Sequence, residues 1–275
     1  MTTLVTGATG NTGRHVVAEL VRRGEGVRAL TRDPERAAPV LPDGVELVAG
    51  THTDLATLGG ALDGVDRLHI TATAGLVETG PELVRRAVAA GVRRITVLWG
   101  GYVGPVEEAV ADSGVTWTRL EPQEFMSNAL TWVDSVRAEG VVREPFDLPS
   151  AVVHEGDIGA VAAAALLEDG HAGKAYNLTG PEALRSSERV ALLSAAIGHP
   201  VDLVRITREQ ALARLVADGV SPADAEYVVG WHADPPAASW TPVDTVARVL
   251  GRPARTFADW LAEHADRFDV PRLAS

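Results

Sequence analysis

The sequence predicts an α/β fold: a doubly wound parallel sheet, followed by a smaller, mostly helical C-terminal lobe. Three observations predict it. Over the first two-thirds of the 275 residues, short apolar runs alternate with segments of 3.6-residue period, the pattern of strands and crossover helices in a parallel sheet. Three glycines, Gly7, Gly10 and Gly13, stand where the first run gives way to the first amphipathic segment. From residue 186 the pattern becomes helical and is punctuated by Gly198, Gly219, Pro222, Pro235-Pro236 and Gly251.

The elements follow in order. Strands are expected at residues 3–6, 27–31, 45–48, 67–71, 94–98, 115–120 and 174–178, each a short β-branched or leucine-rich run. Helices are expected at 15–23, 33–38, 53–62, 81–90 and 105–113, with Pro81 and Pro105 suited to first-turn positions. A further helix is expected near 123–138, then a loop through Pro145 and Pro149, then an alanine-rich helix for which Asp157 would serve as N-cap. Crossovers this short should be right-handed. The expected division is 1–180 for the sheet domain and 181–275 for the lobe, with a contribution from 123–150.

The glycines give the first functional reading. Gly7 permits a tight strand-to-helix turn, Gly10 lets the backbone approach a ligand without a Cβ in the way, and Gly13 lets helix and strand pack closely. Free N–H groups at the following helix N-terminus then face an anion. In this context GxxGxxG predicts the pyrophosphate turn of a Rossmann dinucleotide-binding domain.

Composition narrows the classes. The formal charge is −12, which argues against a grip on nucleic-acid phosphates. There are no cysteines, so disulfides, thiolate catalysis and cysteine metal sites are excluded. The histidines show no HExxH or comparable spacing, so no metal site is expected. A strand beginning at residue 3 leaves no room ahead of it for a signal peptide, and no run approaches a membrane span; the expectation is a soluble, cytoplasmic protein acting on a small molecule. Lys174 is the only lysine.

Several segments together resemble one family. GATGNTGR at 7–14, RALTRDPERA at 28–37, SGVTWTRLEPQEFMSN at 113–128, DIGAVAAAALL at 157–167, GKAYNLTGPE at 173–182 and GRPARTFADWLAEH at 251–264 are similar to landmarks of the NmrA-like branch of atypical short-chain dehydrogenase/reductases. The resemblance spans essentially the whole chain. It implies a bound NAD(P) and, more loosely, a quinone or carbonyl reductase; the family also contains redox-sensing regulators that bind dinucleotide and catalyse nothing.

At the end of the second strand an NAD binder carries a carboxylate for the ribose 2′-hydroxyl. This chain has Thr31-Arg32. Arg32 favours the 2′-phosphate of NADP(H), while Asp33 is expected to turn toward the helix amides as an N-cap. After the third strand, Thr51 replaces the acidic residue that contacts adenine in relatives, and His52 suits either a contact to the base or a surface role. The dinucleotide contacts are assigned to Gly7, Thr9, Gly10, Asn11, Thr12, Gly13, Arg32, Thr51, Thr71, Ala72, Gly100, Pro122 and Phe125. The resemblance implies that the segment around Pro122 and Phe125 frames the nicotinamide. Glu121 stands where relatives have arginine.

The tyrosine-lysine pair of many short-chain dehydrogenases is absent: Tyr102, Tyr176 and Tyr227 are followed four residues later by Val106, Gly180 and Trp231. The proton must then come from Tyr102, His154, Glu124 or solvent. Tyr102 suits proton donation, stacking on a flat substrate, or cover for apolar surface. Trp231, His232 and Trp240 suit either a substrate lid or a homodimer surface. The expected function is an NADP(H)-dependent oxidoreductase passing hydride to a small carbonyl, enone or quinone-like acceptor; the alternatives are a dinucleotide sensor and a non-redox isomerase or cyclase on the same scaffold.

Overall fold

The computed structural model describes residues 1–71, 73, 75–98 and 101–268. Ala72 and Gly100, singled out above, lie outside them. The chain divides into two compact units. The first comprises Met1–Pro122, Glu155–Leu178 and Thr245–Arg252.

The first unit is built on seven parallel strands: β1 (Thr2–Val5), β2 (Gly26–Thr31), β3 (Glu46–Ala49), β4 (Arg67–Ile70), β5 (Arg94–Leu98), β6 (Thr116–Pro122) and, after the lobe segment that carries β7 (Val141–Glu144), β8 (Lys174–Leu178). Their order is β3-β2-β1-β4-β5-β6-β8. The direction of winding reverses between β1 and β4, so the carboxyl ends of these two strands flank the crevice where doubly wound sheets bind ligands. Leu4, Val5, Leu68, Ile70 and Ile95 are fully enclosed, as expected of strands covered on both faces.

Helices α1 (Gly13–Arg22), α2 (Pro34–Ala37), α3 (Leu76–Ala89) and α4 (Pro105–Asp112) connect the first six strands. After α5 (Val133–Glu139), which belongs to the second unit, α6 (Glu155–Leu167) returns to the first. α6 is buried on every side from Asp157 to Leu166, which explains its alanine-rich composition without an amphipathic stripe. It lies so close to α1 that a Cβ on Gly159 would sit 2.6 Å from the carbonyl carbon of His15.

Three local readings are corrected. The helix expected at 53–62 is only a single turn at Leu55–Leu58, capped by the Asp54 side chain on the Ala56 amide at 3.1 Å and ended by Gly59 at φ +46°. Pro81 is interior to α3 rather than in its first turn. Packing adds the preceding turn: Leu76 is buried, and Gly80 abuts Val106 so closely that a Cβ would lie 2.2 Å from its Cγ2. Asp157 is the third residue of α6, not its cap, and its carboxylate accepts from Arg252 at 2.7 Å.

The second unit comprises Gln123–His154, Thr179–Asp244 and the segment from Pro253. It holds α5, α7 (Ser186–Ile197), α8 (Arg208–Ala217), α9 (Pro222–Ala233), α10 (Ala237–Trp240) and α12 (Phe257–His264). It also contains a parallel pair of strands, β7 with β9 (Asp202–Arg205), which the helical pattern did not suggest. Its core centres on Met126, Trp132, Phe257, Trp260 and Phe268, with Phe257 and Trp260 stacked at 5.6 Å. The lobe is not one continuous stretch of sequence, because α11 (Thr245–Leu250) belongs to the first unit, packed on α6 and β8. The helix expected at 123–138 begins late. Residues 123–125 are not helical, with Phe125 extended, the Met126 amide donating to Val153 O and the Val153 amide to Glu124 O; a 3₁₀ turn and α5 follow.

One buried group makes stability depend on pH. His69 on β4 is fully enclosed, its Nδ1 paired with Thr96 Oγ1 at 2.8 Å, and burial pushes its pKa down to about 4 from 6.5. The unfolded chain therefore takes up a proton that the folded chain does not, and this contribution is complete above pH 6.5 and lost as pH falls toward 4. Urea unfolding at pH 7.5 and pH 4.5 is expected to show a loss on the order of 3 kcal/mol from this group, with a shallower slope in His69→Gln. Equal slopes in both proteins would remove His69 as the cause.

Candidate active site

The glycine turn follows β1 directly. Gly7 has φ +59°, and a Cβ there would meet Thr71 at 3.0 Å. At Gly13 a Cβ would lie 2.1 Å from Gly7 O, so the close approach of helix to turn admits only glycine. The Gly10 amide donates to Gly7 O at 2.9 Å. Thr71 locks the turn to the end of β4: its amide donates to Thr6 Oγ1 at 2.9 Å and its hydroxyl to Thr6 O at 2.8 Å. Thr9, Gly10 and Asn11 are exposed and Thr12 is buried beneath them. α1 has no acidic residue in its first turn and no side chain capping its N-terminus. This cradle fits a dinucleotide pyrophosphate, which needs backbone donors, a positive helix end and no Cβ in the way.

At the end of β2, Arg32 is exposed and makes no ion pair among the described residues. Asp33 caps α2, its carboxylate accepting from the Arg36 amide at 3.1 Å, and is thereby turned from the strand end. Arg32 lines a concavity of about 290 Å³ with Ala49, Gly50, Thr51 and Thr57. The Thr51 hydroxyl shares a hydrogen bond with Thr53 Oγ1 at 2.9 Å, and the Thr51 amide donates to Thr57 Oγ1. His52 is buried, its Nε2 paired with Thr73 Oγ1 at 2.9 Å, and burial lowers its pKa. It ties the loop after β3 to the loop after β4, so neither the surface role nor a stacking face describes it.

Beyond β5, Tyr102 is 57% exposed and its ring rests on Gly104, where a Cβ would come within 2.8 Å of the ring edge. Its hydroxyl makes no hydrogen bond among the described residues. On β6 the Arg119 guanidinium binds the Glu121 carboxylate at 2.6 Å, so the acidic residue at position 121 is charge-compensated. Pro122 is the last residue of β6 and is buried.

In the second unit, Phe125 is partly buried and paired with Val153. Glu124 beside it is buried and bound to Arg189 of α7 at 3.2 Å, Arg189 being equally buried and lying 5.5 Å over the Trp132 ring. Burial pushes the Glu124 pKa up, Arg189 and then His232 push it down, and the net position is below the ordinary carboxylate value. Glu124 is thus held as a carboxylate and is unsuited to the role of proton donor. His154 is also enclosed, its Nε2 3.4 Å from Glu263 of α12; it ties the chain before α6 to α12 rather than offering a proton to solvent. Arg189 escaped the sequence reading because it lies 65 residues from Glu124 on a different element. No local pattern pairs them.

Among the described residues no group of three or more His, Cys, Asp or Glu side chains could hold a metal ion. No helix among the described residues is long and apolar enough to cross a membrane.

The sequence pattern of the NmrA-like family matches residues 1–104. The (4-alkanoyl-5-oxo-2,5-dihydrofuran-3-yl)methyl phosphate reductase of Streptomyces griseus subsp. griseus is 39% identical over 279 aligned residues, covering 96% of this chain and 98% of the relative. The chain belongs to the NmrA-like family. A second relative at full length is the NAD(P)H azoreductase of Xenophilus azovorans, 35% identical over 96% of this chain and 98% of its own. Among solved structures, the NADPH-dependent quinone oxidoreductase of Escherichia coli complexed with NADPH shares the fold, with a TM-score of 0.79 and 24% identity over 96% of this chain and 99% of that one.

Proposed function

We propose that this NmrA-like protein is an NADP(H)-dependent reductase that passes hydride to a small, flat, conjugated acceptor, an enone, quinone-like ring or azo compound, without a tyrosine-lysine pair. The observation that carries the cofactor choice is Arg32, exposed and without an ion-pair partner among the described residues at the end of β2, with the neighbouring carboxylate of Asp33 committed to α2. In this reading the exposed backbone of Thr9, Gly10 and Asn11 meets the pyrophosphate, and Arg32, with Thr51 at the rim of the same concavity, receives the 2′-phosphate end. Bound NADPH supplies the hydride, and the protein supplies position and a proton.

The acceptor class is supported by what the relatives' names have in common. A furanone bearing an alkanoyl group, an azo compound and a quinone are all planar electrophiles that take hydride at a conjugated position. The protein is therefore expected to prefer such acceptors over saturated ketones and aldehydes.

Arg32→Ala is expected to weaken NADPH binding roughly 10- to 100-fold, the loss of one charge-assisted hydrogen bond or a bidentate pair, and to leave NADH affinity almost unchanged. Titration calorimetry with both cofactors decides the matter. Equal affinities in the unaltered protein would contradict the assignment.

A further inference from the structure

The two ends assigned to the cofactor in the first unit are built from separate stretches of chain. The glycine turn after β1 is locked to the end of β4 through Thr71, whose amide and hydroxyl both bond Thr6. The 2′-phosphate end is lined by Arg32 after β2 and by Thr51 and Thr57 of the loop after β3. A ligand that occupies both ends gains fully from the second only if the two are held in register, because ordering a drifting loop on binding costs affinity.

The loop after β3 is internally braced. Thr57 Oγ1 accepts from the Thr51 amide at 2.9 Å and donates to Asp54 O at 2.6 Å. The Thr53 amide donates to Thr51 Oγ1 at 3.3 Å, and Asp54 caps the turn at Leu55–Leu58. The loop is tied to β2 by the Gly50 amide on Thr31 O at 2.8 Å. It is tied to α3 by the Thr79 hydroxyl on His52 O at 3.0 Å and by the Arg86 guanidinium on Leu55 O at 2.9 Å. The His52 side chain links it to the segment that carries Thr71, its Nε2 pairing with Thr73 Oγ1 at 2.9 Å. The ring is 5% exposed. Burial lowers its pKa, against the effect of a hydrogen bond with the Thr71 backbone. A neutral imidazole has one acceptor and one N–H, which a hydroxyl and a carbonyl satisfy together.

We infer that His52 is a positioning residue that holds the 2′-phosphate end of the cofactor site in register with the pyrophosphate turn, through Thr73 and Thr71. This rests on the cofactor reading above. The enclosed ring does not itself meet the ligand. It sets where Thr51 stands relative to the turn, and so whether Arg32 and Thr51 together reach the 2′-phosphate of a dinucleotide held at its pyrophosphate. The ties to β2 and α3 do not involve the ring. They remain when it is replaced, so the loop keeps its form and shifts as a unit.

The test uses the full-length protein and three substitutions. His52→Leu removes the link and keeps an apolar side chain in the enclosed space. His52→Gln returns a hydrogen-bonding amide to the place of Nε2. Thr73→Val removes the partner hydroxyl at an exposed position, so it carries the test even if His52→Leu fails to fold. NADPH affinity is measured by titration calorimetry, and that of adenosine 2′-monophosphate, which occupies the 2′-phosphate end alone, by NMR titration. NADPH binding is expected to weaken roughly 5- to 30-fold in His52→Leu and Thr73→Val, the loss of one buried hydrogen bond with a partner left unsatisfied, and to recover most of that in His52→Gln. Adenosine 2′-monophosphate should bind every variant within about twofold of the unaltered protein, because it spans only one end. In an Arg32→Ala background the cost of His52→Leu should fall below about threefold, since no 2′-phosphate contact is left to hold in register. A purely structural role would give the same fold-loss with and without Arg32. Unchanged NADPH affinity in His52→Leu or in Thr73→Val, an equal loss for NADPH and adenosine 2′-monophosphate, or an equal loss in both Arg32 backgrounds would overturn the inference while leaving the cofactor reading intact. NADPH affinity unmoved by Arg32→Ala alone would overturn the cofactor reading, and the inference with it.

Discussion

Gly10→Val is expected to abolish measurable NADPH binding while the protein remains folded. Gly10 is exposed at the apex of the turn, so a valine there adds nothing to the core; its Cβ would stand 3.1 Å from Gly7 O, a contact relieved by a small shift. The branched methyls instead project over the exposed turn and α1 N-terminus, into the space a pyrophosphate needs. Losing two or more charge-assisted hydrogen bonds at about 1.5–3 kcal/mol each weakens binding by roughly 10²- to 10⁴-fold. Saturating NADPH should raise the melting temperature of the unaltered protein and leave that of Gly10→Val unmoved. A ligand-induced shift of equal size in both would mean that the turn does not hold the pyrophosphate. Gly13 gives the contrast: a Cβ 2.1 Å from Gly7 O cannot be accommodated without opening the turn, so Gly13→Ala should lose stability as well as binding.

Arg189→Met is expected to carry the largest stability cost of the substitutions considered. Arg189 and Glu124 are each more than nine-tenths buried and compensate one another at 3.2 Å. Methionine keeps apolar contact with Trp132 but strands the Glu124 carboxylate in the interior, a loss of about 3–5 kcal/mol. Replacing both residues, as in Glu124→Leu with Arg189→Met, removes the uncompensated charge and should recover most of that loss. Urea unfolding of the two single variants and the double variant measures it. A single-variant loss below about 1 kcal/mol would show that the pair is solvated rather than enclosed.

What could be read in the sequence was what is decided locally. The glycine turn, the end of β2 with Asp33 as N-cap, and the spans of β5 and β8 depend on neighbours within a few residues, and their chemistry is visible in one short segment. Features set by distant contacts were not legible. The 53–62 segment has helix-compatible residues, yet Asp54 and Gly59 restrict it to one turn. Pro81 looks like a helix start because the packing of Leu76 and Gly80 that extends α3 ahead of it lies elsewhere in the chain. The stretch at 123–125 has no strand signature; its departure from helix comes from pairing with the segment at Val153. The same holds for the site. Glu124 was visible as a carboxylate beside Phe125, but whether it would be an acid or a fixed charge depended on Arg189 and His232, 65 and 108 residues further along.

The central claim, that hydride passes from NADPH to a conjugated acceptor, is tested most directly by following the label. NADPH carrying deuterium on the transferred face of C4 is turned over with an enone, whose β-carbon would keep the label in a C–D bond that does not exchange with water, and the product is analysed by mass spectrometry. The account predicts one deuterium in each product molecule, in step with the NADPH consumed. NADPH bound at the turn but never oxidised by any conjugated acceptor, or oxidised with no deuterium in the product, would contradict it.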